Sequence, residues 1–281
     1  MTYVGTVAGL HRYPVKSMLG ETLQDVMCSP SGFDGDRMAA LIDTNSGKVV
    51  TAKLPHRWRK MLELSARKTT GGDISVTLPG QEDILFGSAE ADAVLSRYLS
   101  RDVAAAFKRP EGLEFERAHP QEVVAMGAAA QTQHDVMPLA MAAPDGGFFD
   151  FAPIHFVTQT SLDYVGKHLE AGQAQAERFR PNIIIQTDDG DPFIENGWVD
   201  GTLSIGAQLR LKVILPTPRC AVPTLAHGAL ANDRTALQCI TQENKQPILD
   251  MGNLACLGAY AQVSAPGPIQ LGDKIRFEPG P

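Results

Sequence analysis

Hydrophobic and polar residues alternate along much of this chain with a period of two. The clearest case is 208–215, where Leu209, Leu211, Val213 and Leu215 alternate with Gln208, Arg210 and Lys212. That pattern predicts a strand with one buried face and one wet face. Similar signals predict an opening strand over 4–10, a strand over 38–43 with a partner over 48–51, and a hairpin of 61–66 with 74–78 around Thr69, Gly71 and Asp73. Later in the chain they predict strands over 154–157, 198–206, 256–263 and 271–277, the last as a closing hairpin arm.

Helical periodicity is scarcer. Ala91, Val94, Leu95, Tyr98 and Leu99 recur at helical spacing behind Ser88, a good N-cap. Thr160, Ser161, Leu162 and Asp163 have the form of a capping box that opens a helix with Leu162, Val165 and Leu169 on one face. Pro55 starts a short helix to Lys60, and 234–244 reads as a helix through Leu237 and Ile240. Residues 109–147, with Pro110, Gly112, Pro120 and an Ala/Gln-rich run, alternate poorly and read as a linker and surface excursion with room for a short helical piece. The fold class expected is α+β and mainly β: two β-barrel-like units with a few short helices.

Composition narrows the class. The chain has 281 residues, of which 43% are hydrophobic and 20% charged, so it has enough apolar material for large cores. The 26 Gly and 19 Pro fit many turns better than a helical bundle. A net charge of −7 argues against non-specific nucleic-acid binding. The sequence opens on a strand pattern, and no apolar run approaches the ~18 residues of a membrane span. The expectation is a cytoplasmic, reduced protein that engages neither nucleic acid nor membrane. The four cysteines, Cys28, Cys220, Cys239 and Cys256, show no CxxC spacing, so no zinc ribbon or iron–sulfur loop is encoded.

Candidate chemistry gathers where basic residues meet turn or strand ends. Cys220 follows Arg219 on the proline-stiffened stretch Pro216, Thr217, Pro218, and a neighbouring guanidinium favours the thiolate. Read locally, Cys220 is equally a small packed hydrophobe. Lys16 and Ser17, after Tyr13 and Pro14, can clamp an anion or simply end a strand. Arg37 can form a surface pair with Asp34 or Asp36, or reach a phosphate. Arg180, Pro181 and Asn182 open an apolar strand. Thr160 and Ser161 offer a helix N-terminus, either as an anion site or as a cap and nothing more. Cys28, Cys239 and Cys256 read as packing residues.

Taken in order, Tyr13-Pro14-Val15-Lys16-Ser17, Gly35-Asp36-Arg37, Phe179-Arg180-Pro181-Asn182, Arg219-Cys220, Leu257-Gly258-Ala259-Tyr260 and Gly272-Asp273 resemble the MOSC proteins and their N-terminal β-barrel domain. The amidoxime-reducing molybdenum enzymes share that layout. The resemblance implies an N-terminal β-barrel domain over 1–110, the excursion over 111–147 and a MOSC domain over 148–281. It implies a molybdenum cofactor, Mo-molybdopterin, with Cys220 as both catalytic residue and metal ligand. Lys16, Ser17, Arg37, Thr160, Ser161, Arg180, Asn182 and Arg219 would bind that cofactor. It further implies reduction of a small-molecule substrate of N-hydroxylated or N-oxide type. A separate flavin or iron–sulfur protein would donate electrons, because no ferredoxin-like domain is appended. The loop after Cys220 departs from that of the amidoxime reducers, and it is expected to face the substrate. Two further readings use the same thiol: a sulfur carrier with a Cys220 persulfide, and a cofactor-binding protein without turnover. A cysteine hydrolase pairing Cys220 with His227 or His155 is a fourth.

Overall fold

A computed structural model describes residues 1–188 and 190–280. Its main sheet closes on itself. In order round the ring run Ile154–Thr158, Ile183–Gln186, Thr2–Arg12, Lys274–Glu278, Thr202–Ile205, Leu209–Pro218 and Asn253–Ala265, which pairs back to Ile154–Thr158. This is a seven-stranded barrel, and closure leaves no unpaired sheet edge around the ring. Its interior holds Val7, Leu10, Phe156, Ile183, Leu203, Leu211, Val213, Ala259 and Ile275. The first strand therefore lies between two strands of the C-terminal half, antiparallel to both.

The rest of the N-terminal half builds its own core from Val15, Met18, Leu41, Trp58, Met61, Leu62, Val76 and Leu95. Small sheets surround it: Ser65–Lys68 with Ile74–Thr77 and Ile84–Leu85, and Ala40–Asp43 with Val103–Ala106. Residues 48–51 pair with the strand over 38–43 as expected, but over one antiparallel bridge, Ile42 with Val49, in which the Asp43 N–H donates to the Lys48 carbonyl at 3.0 Å and the Val50 N–H to the Leu41 carbonyl at 2.9 Å. The helix Ala89–Leu99 starts as expected, with the Ser88 hydroxyl accepting from the Ala91 N–H at 3.0 Å. Residues 61–63 form a 3-10 turn rather than the start of the hairpin.

The excursion is structured. Glu114–Ala118 and His134–Pro138 pair as antiparallel strands around the helix Pro120–Met126. Alternation failed to signal them because His134–Pro138 has no buried residue. Near its end, Leu139, Ala140, Phe148 and Phe149 pack with Ala40, Val49 and Phe115.

Leu209–Pro218 runs farther than its proline content suggests. Pro216 and Pro218 stay paired with Ala259 and Cys256 because register shifts between 213 and 218 absorb their missing donors. Past Cys220 the chain turns into the N-terminal core, where Ala221, Val222 and Leu225 are buried. A fully buried Val or Leu contributes about 1.5–3 kcal/mol, so this loop is fixed at both ends. Of the loop after Cys220, Val222 lines the cavity described below.

Candidate functional site

Where the barrel meets the N-terminal core lies a cavity of about 320 Å³. Six cationic side chains line it, Lys16, Lys53, Arg37, Arg117, Arg180 and Arg219, against two carboxylates, Asp150 and Asp250. Cys220 lines it as well, and it is the one thiol of the four that is not buried. Burial pushes Cys28 and Cys256 up to about 12 and raises Cys239. These three are packing residues, as expected.

Four backbone positions in the wall are strained. Ser17, Arg37, Arg180 and Leu249 have φ values of 68°, 46°, 56° and 47°, in the left-handed region that L side chains avoid. Such conformations persist only where the surroundings enforce them, and they concentrate at ligand sites. Here one buried network enforces two of them. Asp36, 3% exposed, accepts from the Tyr13 N–H at 2.7 Å, from the Asn182 amide at 3.0 Å and from the Arg37 guanidinium. Arg37 also donates to Asn182 Oδ1 and to the Arg180 carbonyl, each at 3.3 Å. The Arg37 and Arg180 guanidiniums both lie against the Tyr13 ring, 4.9 and 4.2 Å from its centroid. The surface pair considered for Arg37 is therefore a buried one with Asp36. Asp34, two residues earlier, takes Lys68 instead at 2.6 Å.

Lys16 reaches the Phe148 carbonyl at 3.2 Å and shares Asp150 with Lys53. Burial lowers the Lys16 ammonium to about 8, against the pull of Asp150. Asp150 itself is held well below the usual carboxylate range, since Lys16 and Lys53 outweigh the effect of its burial. Arg180 is lowered to about 10 by burial and by Arg37, and it donates to the Met18 carbonyl at 2.6 Å. Arg219 spends Nη2 on the Phe179 carbonyl at 2.8 Å, but its buried Nε has no partner, and neither has that of Arg117. Ser17 accepts from the Ala52 N–H at 3.1 Å, which leaves its hydroxyl proton to donate. Surplus cations, unspent guanidinium donors and one accessible thiol make a site for a polyanion.

Six of the eight residues expected to bind an anion line this cavity: Lys16, Ser17, Arg37, Arg180, Asn182 and Arg219. Asn182 supports the wall rather than the space. Its amide is committed to Asp36, His11, Arg37 and the His155 backbone. Thr160 and Ser161 lie elsewhere. The cap of the helix Gln159–Gly166 is Thr158, whose hydroxyl accepts from the Ser161 N–H at 3.2 Å. Ser161 is buried and donates to Glu195, a carboxyl whose pKa burial raises, while Thr160 contacts Thr187. Glu195 accepts from both Thr158 and Ser161 at this helix N-terminus, and neither Thr160 nor Ser161 lines the cavity.

Reasoning from sequence missed several wall residues. Lys53, Arg117 and Asp150 carried no local signal, and His155 sat inside a strand pattern. His155 places its ring nitrogens 3.4 Å from the Arg180 carbonyl and 3.3 Å from the Leu257 carbonyl. Burial and Arg219 lower its pKa to about 3, so it is neutral at pH 7. His227 is buried outside the cavity wall, with Nδ1 on the Leu225 carbonyl. Among the described residues neither histidine hydrogen-bonds Cys220, so no hydrolase dyad forms. Also among the described residues, no cluster of three His, Cys, Asp or Glu can hold a metal ion, and no helix is long and apolar enough to cross a membrane.

Two family models match the sequence: the MOSC N-terminal beta barrel domain over residues 4–108 and the MOSC domain over 144–276. The chain belongs to the MOSC family. Among its relatives, mitochondrial amidoxime-reducing component 1 of Homo sapiens is 25% identical over 97% of this chain and 82% of its own length. Mitochondrial amidoxime reducing component 2 of Homo sapiens is 24% identical over 97% and 83%. The YUAD protein from Bacillus subtilis aligns structurally at a TM-score of 0.47 and 10% identity, over 98% of this MOSC chain and 95% of that one.

Proposed function

We propose that this MOSC protein is a molybdenum-dependent oxidoreductase that removes oxygen from N-hydroxylated or N-oxide substrates, with Cys220 as the thiolate ligand to molybdenum. The observation that carries this reading is the meeting of one accessible thiol with six cations in a single cavity. One thiolate is too few donors to hold a metal ion, so the metal must arrive on a ligand with donors of its own. A pterin dithiolene with a phosphate is such a ligand, and thiolates suit a soft metal centre.

The residues fit that group. Lys16, Ser17, Arg37 and Arg180 would hold its anionic end, while Arg219 and Arg117 would turn their unspent Nε–H groups toward it. Asp36, Tyr13 and Asn182 fix Arg37 and Arg180 in advance, which lowers the cost of ordering the site on binding. When bound, the cofactor would supply the two-electron chemistry. The balance is that of an N–O reduction: the N–O bond breaks and the oxygen leaves as water. A separate flavin or iron–sulfur protein supplies two electrons, and solvent supplies two protons. Tyr260 lines the cavity and keeps its phenolic proton, because burial and Asp150 push its pKa up. Its hydroxyl can donate to a substrate oxygen. His155, uncharged at pH 7, leaves the cations as the dominant field.

The test is turnover. Protein from a cofactor-competent host should reduce benzamidoxime to benzamidine with an artificial one-electron donor. Molybdenum without turnover would leave a cofactor-binding protein. A cyanide-labile sulfur on Cys220 with no molybdenum would mark a sulfur carrier instead.

A further inference from the structure

The mouth of the cavity contrasts with its floor. Met137 and Met141 line it from one chain segment, Leu249 and Met251 from another. Met141, Leu249 and Met251 are 63%, 64% and 43% exposed, so three of the ten exposed large hydrophobics among the described residues line this one cavity. Exposed apolar groups gathered at one place mark a binding surface, whereas scattered ones do not.

Both segments are fixed. The Ala142 N–H donates to the Phe151 carbonyl at 2.9 Å, and the Ala142 carbonyl accepts from Gln262 at 2.8 Å. In the other, Ile248 is fully buried, and its N–H and carbonyl close the turn onto Gly252 and Met251, each at 2.9 Å. The tip of that turn carries Leu249 at φ 47°. A branched residue that is both exposed and left-handed is disfavoured twice, where Gly or Asn would be favoured. The conformation instead sets an apolar side chain at the opening. Asp250 beside it is exposed and is the one charge on the tip.

We propose that the substrate is amphipathic, with an extended apolar tail held by Met137, Met141, Leu249 and Met251 while its N–O head enters the cavity that Cys220 lines. This rests on the oxidoreductase reading of the cavity. The occupant is a small molecule, because these apolar residues line the same cavity as Cys220, where the proposed N–O reduction takes place. Methionines suit the role, since their unbranched, polarisable side chains adapt to tails of differing shape.

The experiment uses molybdenum-loaded protein, oxidised and without electron donor, titrated calorimetrically with acetamidoxime, butanamidoxime, hexanamidoxime and octanamidoxime. Affinity should rise about threefold to fourfold per methylene until these apolar residues are covered, with an increasingly negative heat-capacity change. The Leu249→Asp, Met251→Glu double variant, and separately Met141→Gln on the other segment, should keep their molybdenum and lose most of that chain-length dependence. Equal affinity for all four ligands would overturn the proposal, as would an unchanged dependence in both variants. A protein that reduces acetamidoxime and octanamidoxime with the same KM loses the tail inference alone. One that binds molybdenum yet reduces no amidoxime loses the oxidoreductase reading, and this inference with it.

Discussion

Asp36 and Asp34 flank Gly35 in one turn, yet their removal should have very different consequences. Asp36 is 3% exposed and receives three donors: the Tyr13 N–H, the Asn182 amide and the Arg37 guanidinium. Asp36→Ala would strand a buried arginine beside Arg180, and breaking a buried ion pair from one side costs about 3–5 kcal/mol. The two abandoned neutral donors would add about 1–3 kcal/mol each if nothing replaced the carboxylate. Relaxation and entering water recover part of this, so about 4 kcal/mol is the expected loss. For a chain of this size, each kcal/mol moves the melting midpoint by about 2–4 °C. Asp36→Ala should therefore melt about 8–16 °C lower by differential scanning calorimetry at pH 7. Asp34→Ala removes only a pair with Lys68 in which Asp34 is 61% exposed. Exposed pairs are worth about 0–1 kcal/mol, a shift of a few degrees at most. Equal midpoints for the two variants would refute the argument that a buried carboxylate organises the arginines.

Two further outcomes follow from the same geometry. Sulfate keeps its charge across neutral and alkaline pH, so its binding to cofactor-free protein should weaken as pH rises through about 8, where Lys16 loses its proton. Asp150, Lys53 and Arg37 face that ammonium. Lys16→Met should bind sulfate weakly at every pH, and wild-type affinity that stays flat from pH 7 to 9 would contradict the assignment. Gly258 has φ +75°, and an added Cβ would lie 2.3 Å from the Phe156 carbonyl oxygen and 2.6 Å from His155 Nε2. Gly258→Ala should unfold the barrel far more readily than Gly252→Ala, where φ is +77° but nothing lies within 4 Å. Comparable thermal midpoints would rule out the close approach of His155 to Gly258.

The sequence made most of the barrel legible, because its strands bury one face and so alternate. Leu209, Leu211 and Val213 are fully buried, as their spacing demands. Strands without a buried face gave no such signal, and His134–Pro138 is the example. The site was legible where basic residues stood beside prolines and turns: Lys16, Arg37, Arg180 and Arg219 all reach one cavity. It was illegible where function depends on tertiary partners alone. No local pattern marks Asp150 as the carboxylate shared by Lys16 and Lys53, or Leu249 as lining the same cavity as Cys220. Ser161 was ambiguous in the sequence. Its motif is that of a helix start, and its partner there, Glu195, lies 34 residues away where no local pattern points to it.

The central claim, that one thiol inside a cationic cavity anchors a molybdenum–pterin ligand, is tested most directly by metal and pterin analysis of wild-type and Cys220→Ser protein from the same cofactor-competent host. Near-stoichiometric molybdenum in the wild type is predicted. In Cys220→Ser the pterin should be retained by the cations, and the X-ray absorption spectrum of any remaining molybdenum should lack one sulfur neighbour. Wild-type protein free of molybdenum, or a metal–sulfur shell identical in the two proteins, would contradict the account.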